Sequence, residues 1–282
     1  MKQFSSIREL SSALDAFRKK GRSIGFVPTM GALHEGHISL IRKSKNENDL
    51  TVCSIFVNPL QFNKKSDLDH YPRSLAQDIR RLEIEKCNFL FTPGVEEMVP
   101  AGKMDPLDVD LGYLENILEG KFRPGHFKGV AIVVKKLFDI VKPTRAYFGN
   151  KDWQQLLVVR HLVKTLDLPV EVIGCELVRE PDGLAMSSRN MRLTIGERKI
   201  ASLIFEVLSE VKRKAGRVAV TELKNQAIKK IIENPDFTIE YLEIADRNTL
   251  LPVDDWKNIQ DSIVLIAVCL GDVRLIDNME LF

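Results

Sequence analysis

The stretch Ile24-Gly25-Phe26-Val27-Pro28-Thr29-Met30-Gly31-Ala32-Leu33-His34-Glu35-Gly36-His37 passes from an apolar run through a glycine-bearing turn to a helix start. Ile24 to Val27 is short, rich in β-branched and aromatic residues and closed by Pro28, which predicts a strand. The same pattern recurs at Leu50–Val57, Asn88–Phe91, Arg145–Phe148 and Val170–Ile173. Amphipathic stretches lie between these runs and predict helices over Pro72–Lys86, Lys128–Val141 and Asp152–Leu166. In the second, Val130, Val133, Val134, Leu137, Phe138 and Val141 fall on one helical face. In the third, Trp153, Leu156, Val159, Val163 and Leu166 do the same. Strands alternating with helices imply a doubly wound parallel sheet, a Rossmann-like α/β domain over residues 1–177. At the extreme N-terminus, Phe4, Ile7, Leu10 and Leu14 stand at helical spacing.

The rhythm changes after about residue 180. Asp182-Gly183 marks a turn, and Thr194 with Glu197 forms a capping-box signal before a long helix. A further helix is expected from Thr221 to Glu233. Phe237–Ile244, Ser262–Leu270 and Val273–Ile276 then read as strands with no helix between them. Helices followed by strands predict a smaller α+β lid domain over residues 178–282 with an antiparallel sheet.

Composition narrows the function classes. With 282 residues, 44% of them hydrophobic, the chain is long enough for about two cored domains. The 41 basic and 39 acidic side chains leave a formal charge of +2, which argues against nucleic acid or an anionic membrane as partner. Cys53, Cys87, Cys175 and Cys269 form no C-x-x-C pair and no zinc-like spacing, so no metal-ligating set of side chains is expected. Cys53 and Cys269 lie inside apolar runs and read as small buried hydrophobes. Unpaired thiols, no signal-peptide core and no apolar run near ~20 residues predict a cytoplasmic protein.

In open α/β sheets, ligands bind beyond the carboxyl ends of the strands, and four clusters stand there. Pro28–His37 lacks the glycines of G-x-G-x-x-G and the lysine of a P-loop. His34 and His37 are one residue too close for H-E-x-x-H. Two imidazoles remain at a helix start, with Gly36 between them, able to donate to one oxyanion. The plain alternative is a loop with two surface histidines, but these are two of only five in the chain.

The next cluster, Asn58-Pro59-Leu60-Gln61, offers uncharged amides suited to hydroxyl or carboxylate groups, although Asn-Pro after a strand is usually only a turn. Phe122-Arg123-Pro124-Gly125-His126 reads by spacing as a Pro-Gly turn with solvated charges. The last cluster joins Gly149-Asn150-Lys151-Asp152 and Gln155 with Met186-Ser187-Ser188-Arg189. Asp152 can cap the following helix, and Lys151 and Gln155 are four apart on one face. A lysine at a helix start opposes the macrodipole by about 0.3–1 kcal/mol, and a bound anion would relieve that. The Ser-Ser-Arg loop can grip phosphate through hydroxyls and a guanidinium.

His34-x-Gly36-His37 after the first strand resembles the signature of the nucleotidylyltransferase superfamily, whose nucleotide-binding fold is shared with class I aminoacyl-tRNA synthetases. The wider stretch Phe26–His37 resembles the pantothenate synthetase family. Met186–Arg189 is similar to the second superfamily signature, with Arg189 where synthetases carry lysine. The resemblance extends to about Leu193, with departures at Gly174–Leu177 and at Met191-Arg192.

That resemblance implies an ATP-dependent ligase that joins pantoate to β-alanine through a pantoyl adenylate and acts as a homodimer. It places His34 and His37 at the α-phosphate, with His37 as proton donor. Lys151, Ser187, Ser188 and Arg189 would hold the phosphates, and Mg²⁺ would ride on the β/γ oxygens. Gln61 and Gln155 would hold pantoate, with Gln61 also near β-alanine, and Asp152 would reach the metal through water. Met30, Gly31, Ala32, Leu33, Glu35, Gly36, Gly149, Asn150, Val178 and Met186 would frame the nucleotide. Arg123 becomes a second-tier site residue. The alternatives are another adenylyl- or cytidylyltransferase of the superfamily and a non-catalytic nucleotide- or RNA-binding relative.

Overall fold

The structure is a computed structural model that describes residues 1–100, 109–257 and 259–282. It forms two compact units, one of Met1–Asn150 with Gln155–Glu176 and one of Lys151–Gln154 with Leu177–Phe282.

In the first unit β1 (Lys2–Phe4), α1 (Ile7–Arg18), β2 (Ile24–Thr29), α2 (Glu35–Glu47) and β3 (Leu50–Ile55) lead off. They are followed by α3 (Lys65–Asp69), α4 (Leu75–Ile84), β4 (Phe89–Phe91), α5 (Val95–Met98) and α6 (Leu118–Phe122). Then come α7 (His126–Val141), β5 (Arg145–Gly149), α8 (Trp153–Thr165) and β6 (Glu171–Cys175). The six strands form one sheet in the order β1-β4-β3-β2-β5-β6, and every pairing is parallel. The doubly wound α/β expectation therefore holds. The chain builds outward from β2 to β3 and β4, then returns to lay β5 against the other side of β2. The topological switch point lies between β2 and β5, where ligands of such sheets bind. The carboxyl ends of these strands are Thr29 and Gly149, and they carry the first and last clusters onward.

Burial follows the pattern. Val27, Cys53, Leu90 and Tyr147 of four adjacent strands are buried with Leu40 and Ile41 of α2 and Leu82 of α4. The α7 stripe Val130, Val133, Val134, Leu137, Phe138 and Val141 is buried along its whole length. The N-terminus differs from the helical spacing read there. Phe4 pairs with Phe91 in the edge strand β1, and α1 starts only at Ile7. Three residues of strand are too few for periodicity to separate them from the helix that follows.

The second unit contains α9 (Ile195–Ile200), α10 (Leu203–Lys214), α11 (Val220–Ile232), β7 (Phe237–Asp246), β8 (Ser262–Leu270) and β9 (Val273–Glu280). The strands pair antiparallel in the order β7-β8-β9. Val264, Ile266, Val268 and Leu270 alternate along β8 and pack with Val207, Leu208 and Val211 of α10 and Leu223 and Ile231 of α11. The capping box is present: Glu197 N–H donates to Thr194 Oγ1 at 3.2 Å, and Thr194 N–H to Glu197 Oε2 at 2.7 Å. The single long helix expected after it is two. Ala201 and Ser202 keep right-handed helical dihedrals, but Ile204 N–H bonds the Ala201 carbonyl three residues back. The ladder tightens there and the helix is interrupted. β9 also outruns its apolar part, continuing through Asp277, Asn278 and Glu280.

Cys53, Cys87 and Cys175 are buried, whereas Cys269 is only half-buried on β8. Burial pushes the Cys87 and Cys175 thiols up to about 11. Among the described residues no helix is long and apolar enough to cross a membrane.

Candidate active site

In the first unit, the turn after β2 is held by two acceptors. Thr29 Oγ1 donates to the Ser54 carbonyl at 2.7 Å and accepts from Gly31 N–H at 3.2 Å. Asp78, on the first turn of α4, accepts Ala32 N–H at 2.9 Å and Leu33 N–H at 2.8 Å, one on each carboxylate oxygen. Ser74 Oγ adds a third bond to Asp78 at 3.2 Å. Gly31 (φ +84°) and Ala32 (φ +48°) both take left-handed backbone, and at Ala32 this is a conformation a Cβ disfavours. The amides of Gly31, Ala32 and Leu33 thus bond within the fold.

α2 begins directly after this turn, with His34 at its N-cap and His37 in its first turn. The imidazole centroids are 4.0 Å apart at a tilt of 41°. His34 N–H donates to His37 Nδ1 at 3.3 Å. An Nδ1 that accepts assigns the proton of neutral His37 to Nε2, which becomes a donor. Glu35 and Glu85 both pair with Arg42, tying the carboxylate of Glu35 to the α2 surface.

Gln61 is the best-braced of the expected site residues. Its Nε2 lies 2.9 Å from Met30 Sδ, so the Gln61 amide and the β2 turn meet. Asn58 Nδ2 donates to Gln61 Oε1 and to the Gly129 carbonyl, each at 3.1 Å, and Asn58 Oδ1 accepts Leu60 N–H at 3.0 Å. The Asn58 amide, read from sequence as suited to a ligand, therefore serves the turn itself. A Cβ at Gly129 would stand 2.3 Å from the Leu60 carbonyl oxygen, so glycine is required for α7 to approach this turn. The Gln61 carbonyl accepts from Arg123 Nη2 at 3.0 Å and from His126 Nδ1 at 2.8 Å. Arg123 Nη1 also lies 3.1 Å from His126 Nε2. Since a guanidinium only donates, Nε2 accepts and Nδ1–H points at Gln61.

The Phe122–His126 segment is indeed a turn, with Gly125 in left-handed backbone at φ +77°. Its charges are not simply solvated: Arg123 pairs with the buried Glu119 at 3.6 Å and supports Gln61 from behind. Gln155 stands half-buried on α8, Gly149 closes β5 and Asn150 begins the turn after it. A Cβ at Gly174 would meet Asn150 Oδ1 at 2.5 Å, so the Asn150 side chain lies flush against β6.

In the second unit, Lys151 and Asp152 belong to a 3₁₀ turn, Asn150–Asp152, that leads into α8. Lys151 is half-buried and Asp152 exposed. The Lys151 carbonyl accepts from Asn278 Nδ2 at 2.8 Å, and Trp153 Nε1 donates to the Arg247 carbonyl at 2.8 Å. Val178 opens a tight hairpin that returns at Met186, whose N–H bonds the Val178 carbonyl at 3.0 Å. Gly183 turns this hairpin at φ +91°, and a Cβ there would stand 2.0 Å from the Phe205 ring. Ser187 then caps the short helix Ser188–Arg192, its Oγ accepting Arg189 N–H at 3.3 Å. The Ser187 hydroxyl proton is left to donate. Ser188 is buried, and Met186 and Arg189 are half-buried. The hairpin is braced by Arg179, which donates to the Gly183 carbonyl at 3.0 Å, forks onto Asp277 at 2.7 and 3.0 Å and lies 4.7 Å over the Phe205 ring. Burial pushes the Asp277 carboxyl upward, and Arg179 opposes that.

The structure thus places His34, His37, Met30 and Gln61 in the first unit, and Lys151 and the Ser187–Arg189 loop in the second. Sequence reading missed Asp78 and Asn278 and took His126 only as part of a turn; all three act on main-chain atoms. Such contacts leave no spacing pattern in a sequence.

Known proteins share this fold. The family model for pantoate-beta-alanine ligase matches residues 2–280. Pantothenate synthetase of Azobacteroides pseudotrichonymphae is 49% identical over 280 residues, 99% of each chain. That of Bacteroides thetaiotaomicron is 46% identical over the same length, again 99% of each chain. The crystal structure of pantothenate synthetase from Thermus thermophilus superposes with a TM-score of 0.93 at 44% identity, covering 100% of both chains. Pantoate-beta-alanine ligase from Francisella tularensis, solved with beta-gamma ATP and β-alanine, gives 0.83 at 38% identity over 100% of this chain and 98% of its own. With a match along nearly its whole length, in sequence and in fold, the chain belongs to the pantoate–β-alanine ligase family.

Proposed function

We propose that the chain condenses pantoate with β-alanine at the expense of ATP, through a pantoyl-adenylate intermediate, in the cytoplasm and as a homodimer. The observation that carries this reading is the pair His34–His37 at the start of α2, in a unit where the Gln61 amide meets the β2 turn. A carboxylate acylates an amine at neutral pH only when one of its oxygens becomes a good leaving group. The pantoate carboxylate attacks the α-phosphorus of ATP and pyrophosphate leaves. The β-alanine amine then attacks the acyl carbonyl, and AMP leaves with the bridging oxygen.

Charge on the phosphoryl oxygens is the main electrostatic cost of the first step, so positioned donors should dominate catalysis. His37, with its proton on Nε2, donates to the α-phosphate oxygen beside His34. Lys151, Ser187, Ser188 and Arg189 bind the phosphates. Gln61 and Gln155 orient pantoate by hydrogen bonds, and Gln61 also serves β-alanine. Neutral amides suit a hydroxy acid; a phosphorylated acceptor would call for added cations. The turn Met30–Gly36, with Gly149, Asn150, Val178 and Met186, frames the adenosine. A bound Mg²⁺ would supply positive charge to offset the phosphates, and the exposed Asp152 would hold it through water. Residues 1–177 supply the nucleotide and pantoate contacts, and residues 178–282 the remaining phosphate contacts.

The test is exchange of labelled pyrophosphate into ATP with pantoate and Mg²⁺ present and β-alanine absent. Pantoate-dependent exchange is expected. Exchange that responds only to a phosphorylated acceptor would overturn the ligase reading.

A further inference from the structure

Chain order assigns Lys151 to the first unit, two residues beyond β5. Packing assigns it to the second, because residues 151–154 group with Leu177–Phe282. Two long-range bonds underlie that grouping. Asn278 Nδ2 donates to the Lys151 carbonyl at 2.8 Å, and Trp153 Nε1 donates to the Arg247 carbonyl at 2.8 Å. Arg247 is itself fixed by Glu280 of β9 at 2.8 Å and Asp261 at 3.3 Å.

Asn278 has little freedom of its own. It is 6% exposed, and it pairs with Leu265 in the β8–β9 ladder. Its N–H donates to Asp277 Oδ1 at 2.7 Å, and its carbonyl accepts Arg179 Nη2 at 3.0 Å. β9 also packs against the short helix Ser188–Arg192, which follows the Ser187 cap. One strand therefore supports both cationic elements, the Lys151 turn through Asn278 and the Arg189 turn by direct packing.

We propose that Asn278 is a positioning residue for Lys151, fixing its peptide plane so that its ammonium is set on the same mount as the Ser187–Arg189 loop. The proposal rests on the reading of Lys151 as a phosphate ligand. A lysine side chain has four rotatable bonds, so its charge is placed only as well as its main chain is held. Misplacement by about 1 Å in a reacting site can cost on the order of 10²-fold in rate. An amide donor on the carbonyl of a 3₁₀ turn that must accommodate a cation supplies that restraint.

A double-mutant cycle in pantoate-dependent ATP–pyrophosphate exchange, at saturating ATP and pantoate, tests this. Asn278→Ala should slow exchange about tenfold with the pantoate KM unchanged within about twofold. In a Lys151→Ala background it should slow exchange by less than about twofold. Asn278→Asp keeps the shape and main-chain bonds but removes the donor, and should act like Asn278→Ala even if the alanine variant folds poorly. Multiplicative losses in the double variant, or wild-type exchange in Asn278→Asp, would overturn the positioning role alone. Wild-type exchange by Lys151→Ala would instead remove the phosphate-ligand reading on which it rests.

Discussion

Asp78 holds Ala32 in a left-handed backbone conformation by accepting its N–H at 2.9 Å, while the other carboxylate oxygen takes Leu33 N–H at 2.8 Å. The carboxylate is 1% exposed, so no water can stand in for it without rearrangement. Asp78→Ala should destabilise the first unit by about 1–3 kcal/mol for each orphaned amide. It should also raise the ATP KM more than the pantoate KM. Urea unfolding and steady-state kinetics check both, and a stability loss under about 1 kcal/mol would show that the turn holds itself.

Arg123 touches the main chain of Gln61 rather than its amide. Arg123→Ala leaves the Gln61 carbonyl with His126 as its remaining side-chain donor. The expected result is a pantoate KM raised about tenfold with the ATP KM little changed. Arg123→Lys should recover only part of this, because one ammonium does not reproduce the fork that reaches Gln61, His126 and Glu119. Equal rises in both KM values would indicate general loosening of the unit.

His37→Ala removes the Nε2 donor and the acceptor of His34 N–H together. Adenylation should slow by on the order of 10²-fold or more, as expected for loss of a positioned donor. The amine step, started from preformed pantoyl adenylate in single turnovers, should slow much less. Equal damage to the two steps would remove His37 from the first.

Asp277 and Arg179 form a forked ion pair in the second unit, the carboxylate side chain being 1% exposed and the arginine side chain 20%. Asp277→Ala should cost about 1.5–3 kcal/mol, since it removes two charge-assisted bonds from the half-buried guanidinium. The double variant Arg179→Met/Asp277→Leu should recover much of that loss. Denaturant titrations give both values. A double variant no better than the single would mean the pair contributes through its hydrogen bonds to Gly183 and Asn278.

Alkaline stability follows from the thiols. Burial raises Cys87 and Cys175 from the ordinary value of 9.0 to about 11. Both stay protonated in the fold while the unfolded chain ionises earlier. Their contribution is whole below about pH 9 and is lost as the pH rises toward about 11. Cys87→Ala should flatten the decline of stability over that window when melting temperature is followed against pH. An unchanged slope would assign the decline to other groups.

The alternation of apolar runs with amphipathic helices was enough to determine the parallel sheet, since a strand buried on both faces must read as a continuous hydrophobic run. It determined the antiparallel pairing of β8 with β9 for a related reason: the two residues between Leu270 and Val273 allow only a hairpin. The histidine pair, Gln61, Lys151 and the Ser187–Arg189 loop were legible only as candidates, because each follows a strand or stands at a helix start. The brief edge strand at Phe4 and the polar end of β9 were not, as neither carries a period long enough to read.

What only tertiary structure decided are the supports. Asp78 reaches the β2 turn across 46 residues, Arg123 reaches Gln61 across 62, and Asn278 reaches Lys151 across 127. Each side chain bonds a main-chain N–H or carbonyl, a group that every residue type but proline presents in full. Local sequence therefore holds no mark of the partner. The contact exists only because the sheet order brings the two segments together, and a buried peptide group left unbonded would be costly.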